Sequence, residues 1–231
     1  VKRVTLELGG KSANIVFADA DLEKAAAAAP GSVFDNSGQD CCARSRILVE
    51  RSVFDRFLEL LVEATRQFTI GDPMSADSAM GPLVTAQHLA TVRSFSDGLD
   101  TVFTGTVPEG PGFWHPTMIA TPTDPDARVV REEIFGPVVV VIPFDDEADA
   151  IRICNDTEYG LSGSVWTRDG SKALRVSRAM EAGTISVNSN SSVRYWTPFG
   201  GFKQSGLGRE HSMKVLEHYT ELKNIFIDTT G

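Results

Sequence analysis

The chain has 231 residues, 42% of them hydrophobic and 23% charged, which suits one large or two small globular domains and excludes a mostly disordered polymer. A formal net charge of −9 argues against sequence-independent nucleic-acid binding and against an anionic membrane surface. Three cysteines, two of them adjacent, speak against a disulfide framework, and no apolar run approaches the roughly 18–20 residues that cross a bilayer, so a soluble, cytoplasmic protein is expected.

The first predicted element is a strand at Val4–Leu8, which runs directly into Gly9-Gly10. A strand needs neighbours for its backbone groups, and none precedes it, so the sequence reads as starting inside something larger. Asp21 then caps a helix through the alanine run, with Pro30-Gly31 expected to kink or interrupt it before Val33-Phe34. A short strand follows at 47–49. Phe54, Phe57, Leu58, Leu61, Val62 and Thr65 recur at helical spacing and predict an amphipathic helix over 52–68. A weaker helix is expected at 85–97 and a Gly/Pro-rich loop at 105–126.

Val138–Ile142 is an unbroken β-branched run, the pattern of a strand buried on both faces. Helices at 147–155 and 171–182 alternate with strands at 162–167 and 184–188. A helix over 210–217 and an alternating strand over 220–228 complete the order. Strands alternating with helices predict an α/β fold, a three-layer, open, twisted and mostly parallel sheet.

Two groups stand out for chemistry. Asn36-Ser37-Gly38-Gln39-Asp40-Cys41-Cys42 is a polar turn between helix and strand, where a cysteine is partly accessible; a small residue filling a tight turn is the competing reading. His88, His115, His211 and His218 carry no ligand spacing and there is no C-x₂-C, so no metal centre is expected. Glu7 is a carboxylate in an apolar strand before a Gly-Gly turn, either functional or simply solvent-facing on an edge.

Taken together, four segments are specific. Glu7-Leu8-Gly9-Gly10-Lys11-Ser12, then Gly38-Gln39-Asp40-Cys41, then Glu132-Glu133-Ile134-Phe135-Gly136-Pro137, then Pro198-Phe199-Gly200-Gly201-Phe202-Lys203-Gln204-Ser205-Gly206 resemble the NAD(P)-dependent aldehyde dehydrogenase superfamily, in its order and at compatible spacing. The resemblance covers essentially the whole chain but only the C-terminal, catalytic half of a family member. It implies that residues 1–10 are the last strand of a coenzyme-binding domain that is missing here. On the same reading 11–204 are the catalytic domain and 205–231 a C-terminal helix and oligomerisation strand.

The resemblance also implies roles. Cys41 matches the nucleophile that forms a thiohemiacetal and then a thioester, and Cys42 its packed neighbour. Glu7 matches the base that activates water for hydrolysis. Glu133 and Phe135 match the residues around the nicotinamide ribose, Gly9 the position that lets the nicotinamide approach, and Leu8 its neighbour in the coenzyme site. The competing readings are a helix-end charge for Glu133 and a core anchor for Phe135. NAD or NADP is the implied cofactor, bound mainly by the missing domain. A small aldehyde is the implied substrate, and a homodimer or homotetramer the implied assembly.

Asp40, Val193, Trp196 and Phe199 are expected around the substrate pocket. Asp40 stands where many relatives carry an apolar residue or cysteine, and a carboxylate there disfavours a thiolate unless it faces away or meets a cation. It suggests a cationic aldehyde, whereas Arg194 nearby suggests an anionic semialdehyde. Two other classes compete with the dehydrogenase: an inactive fragment that only folds and associates, and a cofactor-free thiol esterase using Cys41. The fragment alone is expected to be inactive as a dehydrogenase.

Overall fold

The computed structural model describes residues 2–191 and 193–231; Val1, where the expected N-terminal arm begins, lies outside them. Seven strands form the central sheet: β1 (Ala13–Val16), β2 (Arg46–Glu50), β3 (Thr101–Thr104), β4 (Met118–Ala120), β5 (Val138–Phe144), β6 (Ser162–Trp166) and β7 (Thr184–Val187). Their order is β3-β4-β5-β2-β1-β6-β7. Only the edge strand β3 runs antiparallel to its neighbour; the other five pairings are parallel.

Alternation within the strands builds the layers. Ile47 and Val49 of β2, Val139 and Val141 of β5, Val16 and Trp166 face α1 (Leu22–Phe34) and α2 (Phe54–Arg66), meeting Ala25, Ala26, Ala29, Phe57 and Leu61. On the opposite face Ile15, Leu48 and Val165 meet Ala150, Cys154 and Val176. Further along the sheet, Val138 and Val140 cluster with Val92, Val129 and Val130. The helices involved are α3 (Ala86–Ser96), α4 (Arg128–Arg131), α5 (Glu147–Asn155) and α6 (Gly170–Ala179). The inner parallel strands are therefore covered on both sides, as their apolar composition demands, whereas the edge strand β7 is only partly buried and leaves Val187 exposed. Asp21, Asp146 and Asp169 accept first-turn amide hydrogens and set the starts of α1, α5 and α6.

Several sequence expectations are corrected. Pro30 does not end α1, which runs on to Phe34: removing one N–H is tolerated because Ala29, Pro30, Val33 and Phe34 are buried in the helix interface. β1, which lies beside the central strand β2, escaped notice because Asn14 breaks its apolar run, although that side chain is fully buried. The expected loop at 105–126 contains β4. The strand at Val4–Leu8 is reduced to Leu6–Glu7, paired with Gly206–Leu207. In place of a helix over 210–217 there is a 3-10 turn at Met213–Val215 followed by α7 (Leu216–Tyr219). Residues 220–228 form no strand here, since no neighbouring strand in the described chain offers them hydrogen bonds. Among the described residues no helix is long and apolar enough to cross a membrane.

Register fixes where loops gather. Ala13 lies beside Arg46 and Gly163, and Arg46 beside Val140. Residues just before β1, β2, β5 and β6 therefore emerge at one edge, the amino end of the parallel strands. Segments 7–12, 39–45 and 133–137 all end there.

Candidate active site

The Cys41 turn is pressed into this edge from two sides. A Cβ on Gly10 would fall 2.4 Å from the Cys41 carbonyl oxygen, and one on Gly38, whose φ is +71°, would fall 2.3 Å from the Gly136 carbonyl oxygen. Only glycine permits both approaches, so the glycines draw the turn against the segment after Glu7 and against the one after Glu133. Within the turn, the Cys42 N–H donates to Asp40 Oδ1 at 2.8 Å and the Ala43 N–H to the Asp40 carbonyl at 3.0 Å. Among the described residues the Cys41 N–H donates to nothing, which leaves it available to an oxyanion.

Cys41 is half-buried and Cys42 buried, packed with Leu161 and Phe199. A hydrogen bond from the Cys42 thiol holds Cys41 below the usual thiol range, against burial and the charges of Asp40, Glu7 and Glu133, which push it up. The same bond, with burial, drives Cys42 upward. The two sulfurs are thus unequal, and Cys41 is the more acidic of the pair. The side-chain donor atoms of Asp40, Cys41 and Cys42 lie within 4.8 Å of one another, a proximity that follows from three consecutive residues sharing a turn. We assign no metal to it.

Glu7 is half-buried, and neither carboxylate oxygen touches solvent or a hydrogen-bond partner among the described residues. Burial and the neighbouring Glu210 raise its pKa, with Arg209 and His211 drawing it down. A buried carboxylate left without partners is unfavourable in a purely structural role, which marks it as a functional candidate. It faces Gly200, whose added Cβ would come 3.0 Å from Oε1. Ser205 fixes this stretch: its Oγ donates to the Gly9 carbonyl at 2.6 Å and accepts from the Gly160 N–H at 2.9 Å, while the Leu8 N–H donates to its carbonyl at 3.1 Å. The Leu8 side chain is exposed.

Glu133 Oε1 accepts from the Gly10 N–H at 2.9 Å. The notch above Gly9 is filled by that carboxylate, since a Cβ there would lie 2.2 Å from Glu133 Oε2. Burial raises the Glu133 pKa, and the Gly10 amide and Lys11 lower it. Phe135 is no core anchor. It is exposed at a φ of +56°, its carbonyl accepts from His88 Nε2 at 2.7 Å, and its ring meets the His88 ring edge-on.

Of the residues expected around the pocket, Phe199 joins the buried cluster at the cysteines, while Val193 and Trp196 stand exposed. Arg194 hydrogen-bonds Ser191 and the Val193 carbonyl within its own loop. Sequence reasoning missed Gly10, Gly38, Ser205, the buried Lys11, and Arg44. The close-packed glycines could have been suspected from their adjacency to the motifs; Arg44 offered only an arginine in an otherwise small-residue stretch.

The aldehyde dehydrogenase family model matches residues 1–225, and the chain belongs to that family. It is 44% identical over 230 residues to an aldehyde dehydrogenase of Aspergillus niger, covering 97% of this chain and 46% of that protein. It is also 44% identical over 239 residues to the NADP/NAD-dependent aldehyde dehydrogenase PuuC of Escherichia coli, covering 98% and 47%. Among solved structures, the P. syringae indole-3-acetaldehyde dehydrogenase AldA, a mutant in complex with NAD+ and IAA, superposes with a TM-score of 0.92 at 44% identity, covering 96% of this chain and 46% of that one. The chain therefore spans about half the length of the relatives it matches.

Proposed function

We propose that the protein of which this chain forms part oxidises an aldehyde to a carboxylic acid with NAD or NADP, using Cys41 as nucleophile and Glu7 as general base. The observation that carries the reading is the Cys41 turn itself: a thiol held below its usual range, with an open backbone N–H, locked by two glycine contacts to the segments that bear Glu7 and Glu133.

The Cys41 thiolate attacks the carbonyl carbon, and the Cys41 N–H stabilises the resulting oxyanion. When bound, a nicotinamide would accept the hydride that leaves the carbonyl carbon as the Cys41 adduct becomes a thioester. Glu7 then takes a proton from water as its oxygen bonds to the acyl carbon. The C–S bond breaks, the acid leaves and the Cys41 thiolate is regenerated. The raised Glu7 pKa suits a base whose buried carboxylate lacks hydrogen bonds of its own.

Glu133, Phe135 and Gly9 would hold the nicotinamide end of the coenzyme. The test of fit is the Gly9 notch, a cradle that a Cβ would fill; Glu133 occupies it now and must release the Gly10 amide to engage a ribose. Asp40 supports a cationic aldehyde, as do relatives at 41–44% identity named betaine aldehyde dehydrogenase, whereas Arg194 and a relative at 44% identity named 2-hydroxymuconic semialdehyde dehydrogenase support an anionic one. If Asp40→Asn leaves the preference between cationic and neutral aldehydes of equal length unchanged, the substrate assignment is wrong. Residues 1–10 act as an arm to the coenzyme domain, and 205–231 as an assembly arm pairing with a second copy.

The experiment is NADH formation by the whole protein against an aldehyde panel. Saturable turnover abolished by Cys41→Ser is expected, and turnover that survives that change overturns the reading. Because the chain spans about half of its relatives, we expect the 231 residues alone to show no dehydrogenase turnover; an activated-ester assay on them isolates the thiol-esterase alternative.

A further inference from the structure

We propose that Arg44 is a positioning residue for the nucleophile: its guanidinium clamps the Cys41–Cys42 turn from behind and balances the Asp40 carboxylate that caps the same turn. The inference rests on Cys41 being the nucleophile of the proposed reaction.

Arg44 is among the largest fully buried side chains of the molecule. Its Nη1 donates to the Cys42 carbonyl at 2.6 Å and to Ser162 Oγ at 2.5 Å, its Nε to Ser164 Oγ at 2.8 Å and its Nη2 to the Gly163 carbonyl at 3.2 Å. Its backbone N–H donates to Ser32 at the end of α1. One side chain thus ties the turn to the whole first half of β6. The planar fork of an arginine can span carbonyl and hydroxyls together, which a lysine cannot.

Charge gives the clamp a second consequence. Asp40 accepts the Cys42 amide hydrogen, which keeps its carboxylate beside the turn, and an unopposed anion there works against a thiolate. Arg44 places a buried cation behind that turn, within electrostatic reach of Asp40 and Cys42. The other charges facing Cys41 are Glu7 and Glu133, both anionic, with Arg209, His211 and Glu210 beyond Glu7 and Lys11 beside Glu133. Among these groups Arg44 is the cation on the nucleophile's own turn.

The test is the rate of Cys41 alkylation by iodoacetamide as a function of pH, read by peptide mass spectrometry. It needs no turnover, so its failure is separable from failure of the proposed reaction. Arg44→Lys, Arg44→Met, Asp40→Asn and the double variant Asp40→Asn/Arg44→Met are compared with the unaltered chain, each checked by thermal melt. Arg44→Met is expected to slow alkylation at neutral pH about 10-fold and to move its midpoint up by about one pH unit, since one unit is a tenfold change in thiolate. Arg44→Lys, which keeps charge but loses the fork, should fall between, and it carries the test if the methionine variant does not fold. Asp40→Asn in the Arg44→Met background should restore most of the loss. Arg44→Lys and Arg44→Met profiles identical to the unaltered chain overturn the proposal, and a double variant as slow as Arg44→Met overturns its charge-balancing half.

Discussion

The amino edge of the sheet and the two terminal arms are built on different principles. At the edge, backbone touches backbone through Gly10 and Gly38, and the buried Arg44, Arg46 and Lys11 fill the space behind. Arg46 donates to the Lys11, Ile153 and Cys154 carbonyls, so the start of β2 is tied to β1 and to α5. The arms, 2–8 and 205–231, share a two-residue ladder and leave Leu222, Ile225, Phe226 and Ile227 exposed. Cys41 belongs to the close-packed edge, whereas Glu7 sits on the arm, which is held by its pairing with Gly206–Leu207 and by Ser205. The proposed nucleophile is thus held by the core, and the proposed base by a lightly paired strand.

That contrast is sharpest in catalysis. In the whole protein, Glu7→Gln should slow hydrolysis of the acyl-enzyme about 10²–10⁴-fold while leaving a burst of NADH, measured by stopped flow. Because the pKa of Glu7 is raised and the base acts only unprotonated, the acid limb of the hydrolysis rate should lie above the ordinary carboxylate range. A burst lost along with steady turnover would place Glu7 elsewhere in the cycle.

Stability should divide the two regions next. Lys11 is buried, its Nζ has no hydrogen-bond partner among the described residues, and burial with Arg46 nearby lowers its pKa to about 7. Below about pH 7 the amine is charged whether the chain is folded or not, and the fold bears the full desolvation penalty. Between about 7 and the ordinary 10.5 the folded amine is neutral and the unfolded one charged, so folding releases a proton and this contribution to stability climbs with pH. Lys11→Met should therefore stabilise by about 1–4 kcal/mol at pH 6 and by less at pH 9, in urea unfolding. Equal gains at both pH values would mean the amine is already neutral at pH 6 or never desolvated.

Gly38→Ala, which needs a left-handed backbone and meets the Gly136 carbonyl, should cost about 1–3 kcal/mol in the same assay and loosen the Cys41 turn. At the other extreme, Phe226→Ser on the exposed arm should change the stability of the isolated chain by no more than about 0.5 kcal/mol. A large effect there would show the tail packed on the chain.

How much of this was legible in the sequence follows the same division. Strands with continuous β-branched runs, such as β5, and helices with a clear apolar stripe, such as α2, declared themselves. β1 did not, because Asn14 sits in its middle, and the tail strand was expected where no partner strand lies among the described residues. Cys41, Glu7 and Glu133 were legible because their motifs are contiguous, and the structure gathers their segments at one sheet edge. The Gly9 notch was read as an approach for a coenzyme, yet it also receives the Glu133 carboxylate, a long-range contact that local spacing cannot reveal. Arg44 was invisible for the same reason: its partners Ser162, Gly163 and Ser164 lie more than a hundred residues away.

The most direct measurement is to trap the covalent intermediate. The whole protein carrying Glu7→Gln is mixed with aldehyde and NAD+, quenched in acid within seconds, digested and weighed peptide by peptide. We expect the acyl mass on Cys41 alone. An unmodified Cys41, or an acyl group on Cys42 or Cys154 instead, would contradict the assignment of that thiol as the nucleophile.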